Sequence, residues 1–410
     1  MIYYFTSITT NYLAKARALG LSLKKHNANA KFVLAIAEPL PKEIKLETEP
    51  FDFVIEIESL NDIGNKNIFV FKHNITELCT AVKPFVAEEI MKRYGAEKVV
   101  YLDPDICVFN SLDMLDRRLD DFSILLTPHQ TVPEKIDSYV RENEILFLKR
   151  GVYNLGFFGV KNNNEGLKFL KWWQSRLLDY CFDDNYQTIK DLQRNGLLGM
   201  FTDQKWIDLV PAFFDNYHII KYPGYNVCTW NLSSQHISRD TAGTFLVNNK
   251  PLCFFHFSGF DSGGHHNEMQ KIILEYPNNK EASALTKWYE NELEQCGQKN
   301  FGKFKAPYAF YSNGEEIQDF ERKIFHIRKD IYQHFNNPFQ VHEGFCFYNW
   351  VRQEYAEYFN SNISGQITWT DVIKKILSNI CPIASKRRLV LKNIYYKFMV
   401  IINTVRHQRL

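Results

Sequence analysis

Val99-Val100-Tyr101-Leu102-Asp103-Pro104-Asp105-Ile106-Cys107-Val108-Phe109 sets two carboxylates one residue apart between two β-prone apolar runs. The pattern predicts a strand that delivers both acids at its carboxyl end, with Pro104 stiffening the spacer. Carboxylates placed this way hold a hard divalent cation through oxygen, and such a cation commonly anchors phosphates. Acid pairs after strands also serve as caps and turns. In an open α/β sheet, however, ligands gather beyond the strand carboxyl ends. The first expectation is therefore an enzyme acting on a diphosphate.

Working outward, Ile2 to Phe5 reads as a strand, and Thr9 or Thr10 is expected to cap a helix carrying Tyr12, Ala16, Leu19 and Leu23 at helical spacing. Phe32 to Ala37 and Phe53 to Ile57 read as further strands. A helix starting near Pro84 carries Val86, Ile90 and Tyr94 on one side and leads through Gly95 into the strand ending at Asp103. Leu125-Leu126 and Gly156 to Val160 add two strands, and Leu167 to Leu178 an amphipathic helix. Alternation of this kind predicts an α/β sheet. The expected division is 1–270 as the catalytic α/β unit, 271–365 as a mostly helical extension and 366–410 as a basic amphipathic tail.

At 410 residues the chain can bury a large core. The eight cysteines form no C-x-x-C pair, which argues against a zinc knuckle or a disulfide framework and suits a reducing compartment. No secretory leader or spanning apolar run is read from the sequence, so a cytoplasmic location is expected. Of 49 basic and 47 acidic residues, nine basic and no acidic ones follow Asp371. The first 371 residues thus hold 40 basic against 47 acidic, a poor match for nucleic acid. The tail repeats Leu391, Ile394, Tyr395, Phe398, Ile402 and Val405 at helical spacing. Residues 386–410 are expected at a membrane surface with anionic lipid. Docking on the acidic body or a contact between copies, making a homo-oligomer, are the alternatives.

Three further groups carry polar residues inside apolar runs. His256, in Phe254-Phe255-His256-Phe257-Ser258-Gly259, offers an imidazole to a metal that two aspartates leave incompletely coordinated, or a hydrogen-bonded core residue. Gly259 would let backbone amides approach a phosphate. Asn154, in Tyr153-Asn154-Leu155-Gly156, is either a contact to a sugar hydroxyl with Gly156 opening room beside it, or part of a bulged strand. Asp203-Gln204 either orients a polyhydroxylated substrate, with Asp203 as a possible base, or begins a helix capped by Thr202. His265 and His266, in a Gly-rich stretch, are read as solvated surface.

In this order the motifs resemble metal-dependent nucleotide-sugar glycosyltransferases of the GT-A fold, closest to family 8. Asp103-Pro104-Asp105 is similar to that family's DxD motif, Asn154 and Gly156 to its sugar-contacting strand, Asp203-Gln204 to its acid-amide pair, and His256 with Gly259 to its metal-ligating histidine and phosphate-binding glycine. Thr6, Ser7 and Tyr12 resemble the nucleoside-binding edge, and Lys83 the cation near the donor diphosphate. The resemblance spans about 250 residues. One departure is clear, because Phe260-Asp261-Ser262-Gly263 stands where that family commonly carries a lysine.

The resemblance implies a Rossmann-like GT-A fold with a single mixed sheet flanked by helices. It also implies Mn2+ or Mg2+ held by Asp103, Asp105 and His256, a nucleoside diphosphate sugar such as a UDP-sugar as donor, and a glycan or lipid-linked acceptor. The expected reaction is hexosyl transfer with retention in bacterial capsule- or lipopolysaccharide-type polysaccharide assembly, peripheral to the inner face of the membrane. An inverting enzyme using Asp203 as base, and a non-catalytic glycan-binding scaffold, stay open. A haloacid dehalogenase-type hydrolase would place its aspartates after the first strand, and a sugar nucleotidyltransferase would open on a Gly-rich basic loop. Neither pattern is present.

Overall fold

The structure is a computed structural model that describes residues 1–183 and 200–359. Its strands in chain order begin β1 (Ile2–Ile8), β2 (Lys31–Ile36), β3 (Phe53–Glu56), β4 (Lys98–Leu102), β5 (Ile106–Val108), β6 (Ile124–Pro128), β7 (Tyr153–Lys161) and β8 (Tyr217–Ile219). All but β5 form one seven-stranded sheet, ordered β3-β2-β1-β4-β7-β6-β8. β3, β2, β1 and β4 run parallel. β7 lies antiparallel to both β4 and β6, while β8 is parallel to β6. The fold is therefore α/β, built on a seven-stranded mixed sheet flanked by helices.

The parallel half is covered on both faces, so its strands are near-continuous apolar runs rather than alternating ones. Every residue of β4 is buried. The helix Leu13–His26 sets Leu13, Ala16, Leu19 and Leu23 against Tyr4, Phe32 and Leu34. Gly20 permits the close approach, since a Cβ there would stand 2.9 Å from both Phe32 and Pro50 side chains. Neither Thr9 nor Thr10 caps this helix as expected. A 3-10 turn over Thr10–Tyr12 precedes it, and the Thr9 hydroxyl bonds the Asn11 side chain instead. The helix Lys83–Tyr94 has Pro84 in its first turn and ends on Gly95 at φ 62°, the asymmetry that favours Pro at the start and Gly at the end.

Between β6 and β7 the chain makes an excursion that starts and finishes at one place. Pro128 pairs with Tyr153, and the His129 amide donates to the Val152 carbonyl at 3.0 Å. Beyond β8 lie the antiparallel strands β9 (Ile237–Arg239), β10 (Phe245–Val247) and β11 (Lys250–Pro251), then β12 (Phe254–His256), which pairs antiparallel with β5.

Of the described residues, those up to Ala309 form one compact unit and those from Phe310 to Phe359 belong to a second. The boundary expected at 270 falls inside the first unit. The helix Ala282–Gln295 stacks Tyr289 on Phe257 with centroids 3.9 Å apart, and its Leu285 and Leu293 share a buried cluster with Phe255. The second unit has helices Asp319–Ile327 and Phe347–Glu354, joined through Phe325 against Phe347 and an Arg352–Glu321 ion pair at 2.9 Å. The tail expected over 366–410 lies outside the described residues. Among the described residues, no helix is long and apolar enough to cross a membrane, and the seven cysteines are free thiols.

Candidate metal centre

The turn between β4 and β5 carries Asp103 and Asp105, and the chain on either side pins it. The Asp103 amide donates to the Gly156 carbonyl of β7 at 2.8 Å, and the Phe257 amide after β12 donates to the Asp105 carbonyl at 2.8 Å. Because β12 pairs with β5 and matches His256 to Ile106, the imidazole arrives beside the two acids. One ligand atom from each of Asp103, Asp105 and His256 lies within 4.8 Å of the others. His256 Nε2 is 3.0 Å from Asp105 Oδ1 and 3.8 Å from Asp103 Oδ2.

The other ring nitrogen of His256 is committed. Its Nδ1 lies 3.3 Å from Asn154 Oδ1, an acceptor, while Asn154 Nδ2 lies 3.3 Å from His129 Nε2. His129 Nδ1 is 3.2 Å from the Val152 carbonyl, so it carries the proton and leaves Nε2 to accept. Burial lowers the His129 pKa to about 4, which keeps that ring neutral. The chain Val152–His129–Asn154–His256 therefore fixes Nδ1–H on His256 and turns a lone pair at Nε2 toward two carboxylates. That arrangement is stable with a cation between them or with an extra proton on the ring. Burial lowers the His256 pKa, but Asp105 and Asp103 outweigh it and raise it. Burial raises the Asp105 pKa, while His256 and Lys15 outweigh it and lower it.

Two oxygen donors and an imidazole braced by an amide suit a divalent cation; the nitrogen favours a transition ion such as Mn2+ over Mg2+. Gly156 makes the packing possible, since a Cβ there would lie 2.6 Å from His256 Cε1 and 2.8 Å from Asn154 Oδ1. Asn154 is thus brought to the centre, with its side chain spent on two histidines. His129 was not singled out in the sequence; its only signal is a polar residue at the end of an apolar strand.

Lys83 and Asp203 sit behind Asp103, each with a side chain only 2% exposed. Lys83 Nζ is 3.0 Å from Asp203 Oδ2, 3.6 Å from Asp103 Oδ1 and 2.8 Å from the Leu155 carbonyl. Burial lowers its pKa, but Asp103 and Asp203 outweigh this and raise it. Burial raises the Asp203 pKa, against the pull of Lys83. The Thr202 hydroxyl bonds Asp203 Oδ1 at 3.1 Å, and Thr202 itself has φ 46°, so it does not cap a helix. Tyr101 donates to Asp103 Oδ1 at 2.6 Å.

Gln204 is not brought to the centre. Its Oε1 accepts from the Leu155 amide at 3.1 Å and its Nε2 donates to the Arg150 carbonyl at 3.0 Å, bracing the start of β7. Thr6 and Ser7 lie buried at the carboxyl end of β1, beside β4, and the Thr6 hydroxyl has no hydrogen-bond partner among the described residues. Tyr12 follows on the next turn, close enough to Asp105 and Asp103 that, after burial, they help raise its hydroxyl pKa. Gly259 has φ 72° and its carbonyl accepts from the His265 amide at 3.1 Å. His265 corrects the surface reading: it is buried, with Nε2 2.9 Å from the Thr286 hydroxyl, because the helix Gly264–Glu275 packs it inward. His266 stays at the surface beside Glu290.

No family model matches the chain. Two uncharacterized proteins of Bacillus subtilis (strain 168) are similar to it: YfnF is 27% identical over 264 residues, covering 63% of this chain and 81% of that one. YfnD is 23% identical over 262 residues, covering 63% and 78%. Among solved structures, the galactosyltransferase LgtC with donor and acceptor sugar analogs is 17% identical, covers 66% of this chain and 95% of that one, and has a TM-score of 0.39. The glycosyltransferase GlyE of Streptococcus pneumoniae TIGR4 is 16% identical, covering 56% and 46%, with a TM-score of 0.33. Overlaps this shallow assign no activity to the chain.

Proposed function

We propose that the chain is a metal-dependent GT-A glycosyltransferase that moves a sugar from a nucleoside diphosphate sugar, such as a UDP-sugar, to an acceptor hydroxyl. The observation that carries this reading is the His256 lone pair, aimed at two carboxylates by the Asn154–His129 brace. Asp103, Asp105 and His256 would hold the ion, which when bound neutralises negative charge on the leaving diphosphate. Tyr101 holds Asp103 by one oxygen. Lys83, its side chain only 2% exposed, adds positive charge behind it from a low-dielectric position.

Both oxygens of Asp203 already face donors, Lys83 and Thr202. This supports transfer with retention, which needs no protein base, over inversion with Asp203 as base. Thr6, Ser7 and Tyr12 line the edge where the nucleoside is expected. The acceptor is taken to be a bacterial surface glycan or its lipid-linked precursor, in keeping with the basic tail. A thermal-shift panel of nucleoside diphosphates and their sugars with Mn2+ tests the reading, since a ligand that binds only the native state raises its stability. NMR of the product anomer then separates retention from inversion. No manganese-dependent shift with any nucleotide would sink the proposal.

A further inference from the structure

Lys15 has a side chain only 2% exposed, and its ammonium contacts a single carboxylate, Asp261 Oδ2, at 2.6 Å. Its other neighbour is the Tyr12 ring, with the ammonium 4.2 Å from the centroid. Among the described residues, Lys15 has no second acceptor. Buried ammonium groups are normally surrounded by acceptors, as Lys83 is by the Leu155 carbonyl at 2.8 Å, Asp203 at 3.0 Å and the Asp103 carboxylate at 3.6 Å. Lys15 thus carries an incompletely used positive charge, paired with the turn that begins two residues after the proposed ligand His256.

Its partner is also unusual. Asp261 is 44% exposed and lies in the turn Ser258–Gly263, bracketed by Gly259 at φ 72° and Gly263 at φ 76°. An exposed carboxylate loses little by turning to water, whereas the buried lysine has nowhere to go. We infer that Lys15 is a phosphate-binding cation of the donor site and that Asp261 is a place-holder anion, displaced from the ammonium when the donor diphosphate enters. The inference rests on the proposed nucleotide-sugar reading and extends it to residues outside the metal ligands. The positive charge comes from the first helix rather than from the turn after Gly259, where the sequence places Asp261.

The test is isothermal titration of the full chain with Mn2+ and one of three probes: UDP, inorganic pyrophosphate or uridine. Lys15→Met should weaken UDP and pyrophosphate binding about 10- to 100-fold, the range for a hydrogen bond to a charged group, and leave uridine unchanged. Asp261→Asn should strengthen UDP and pyrophosphate binding at least about threefold, because a competing charge is removed. It also serves if Lys15→Met fails to fold. Lys15→Met binding UDP and pyrophosphate like the parent would overturn the inference, as would Asp261→Asn weakening their binding. In either case the parent's own manganese-dependent binding leaves the proposed function standing. If the parent binds neither UDP nor pyrophosphate with Mn2+, the functional reading falls and the Lys15 inference falls with it.

Discussion

Replacing Gly156 with alanine is the sharpest test of how the metal centre is built. The new methyl would stand 2.6 Å from His256 Cε1, 2.9 Å from His256 Nδ1 and 2.8 Å from Asn154 Oδ1. Ordinary contact begins near 3.4 Å, so the ring must give way by roughly 0.8 Å, whereas ligand distances at a metal site are tolerated to about ±0.2 Å. His256 then leaves the ligand set or Asn154 leaves its brace. Loss of a supporting contact alone typically lowers metal affinity about 10- to 100-fold, and the overpacking costs about 1–3 kcal/mol of stability. Mn2+ affinity by titration calorimetry, beside urea unfolding, separates the two effects. Gly159→Ala is the control: on the same strand its methyl would meet Leu125 at 3.2 Å, away from the cluster, so it should cost stability and spare the metal. Undiminished Mn2+ affinity in a folded Gly156→Ala protein would refute the argument.

Asp105→Ala and His256→Ala should each abolish the rise in melting temperature produced by Mn2+ with a nucleoside diphosphate; a retained rise counts against the site. Lys83→Met strands Asp203 in the interior and should cost about 3–5 kcal/mol in urea unfolding, with Lys83→Met/Asp203→Asn recovering part of the loss; a near-silent single variant would contradict the pairing. Burial holds both His129 and His265 near pKa 4, against about 6.5 in an unfolded chain. The unfolded state therefore binds more protons between pH 6.5 and 4, so this stability is complete above about 6.5 and declines as pH falls. Each histidine contributes up to about 1.4 kcal/mol per pH unit. His265→Gln should flatten that decline relative to the parent, measured by urea unfolding from pH 7 to 4.5; an unchanged slope argues against a buried neutral His265.

The parallel half of the sheet and the Asp103–Asp105 turn were readable because hydrophobic runs and a rigid spacer act locally. His256 was readable as a ligand candidate for the same reason. What supports it was not: His129 meets Asn154 only because β6 and β7 pair antiparallel, a juxtaposition with no local signature. Gln204 looked free to hold a substrate, yet two backbone groups occupy its amide. Lys15 has the spacing of an ordinary helix residue, and its burial depends on a turn almost 250 positions away. The packing of the helix Ala282–Gln295 was not legible either, because its Tyr289 meets Phe257, an aromatic partner chosen by tertiary packing.

The excursion between β6 and β7 has a consequence for how such a chain can diversify. It departs and returns through one paired position, Pro128 with Tyr153, so changes in its middle need not alter the register of either strand. His129, Val152 and Asn154 at its two ends carry the metal brace, and Phe147 within it stacks on His129 with centroids 4.6 Å apart. A graft that keeps those residues, with the Arg150 carbonyl that Gln204 bonds, is expected to retain the brace while altering the surface between them.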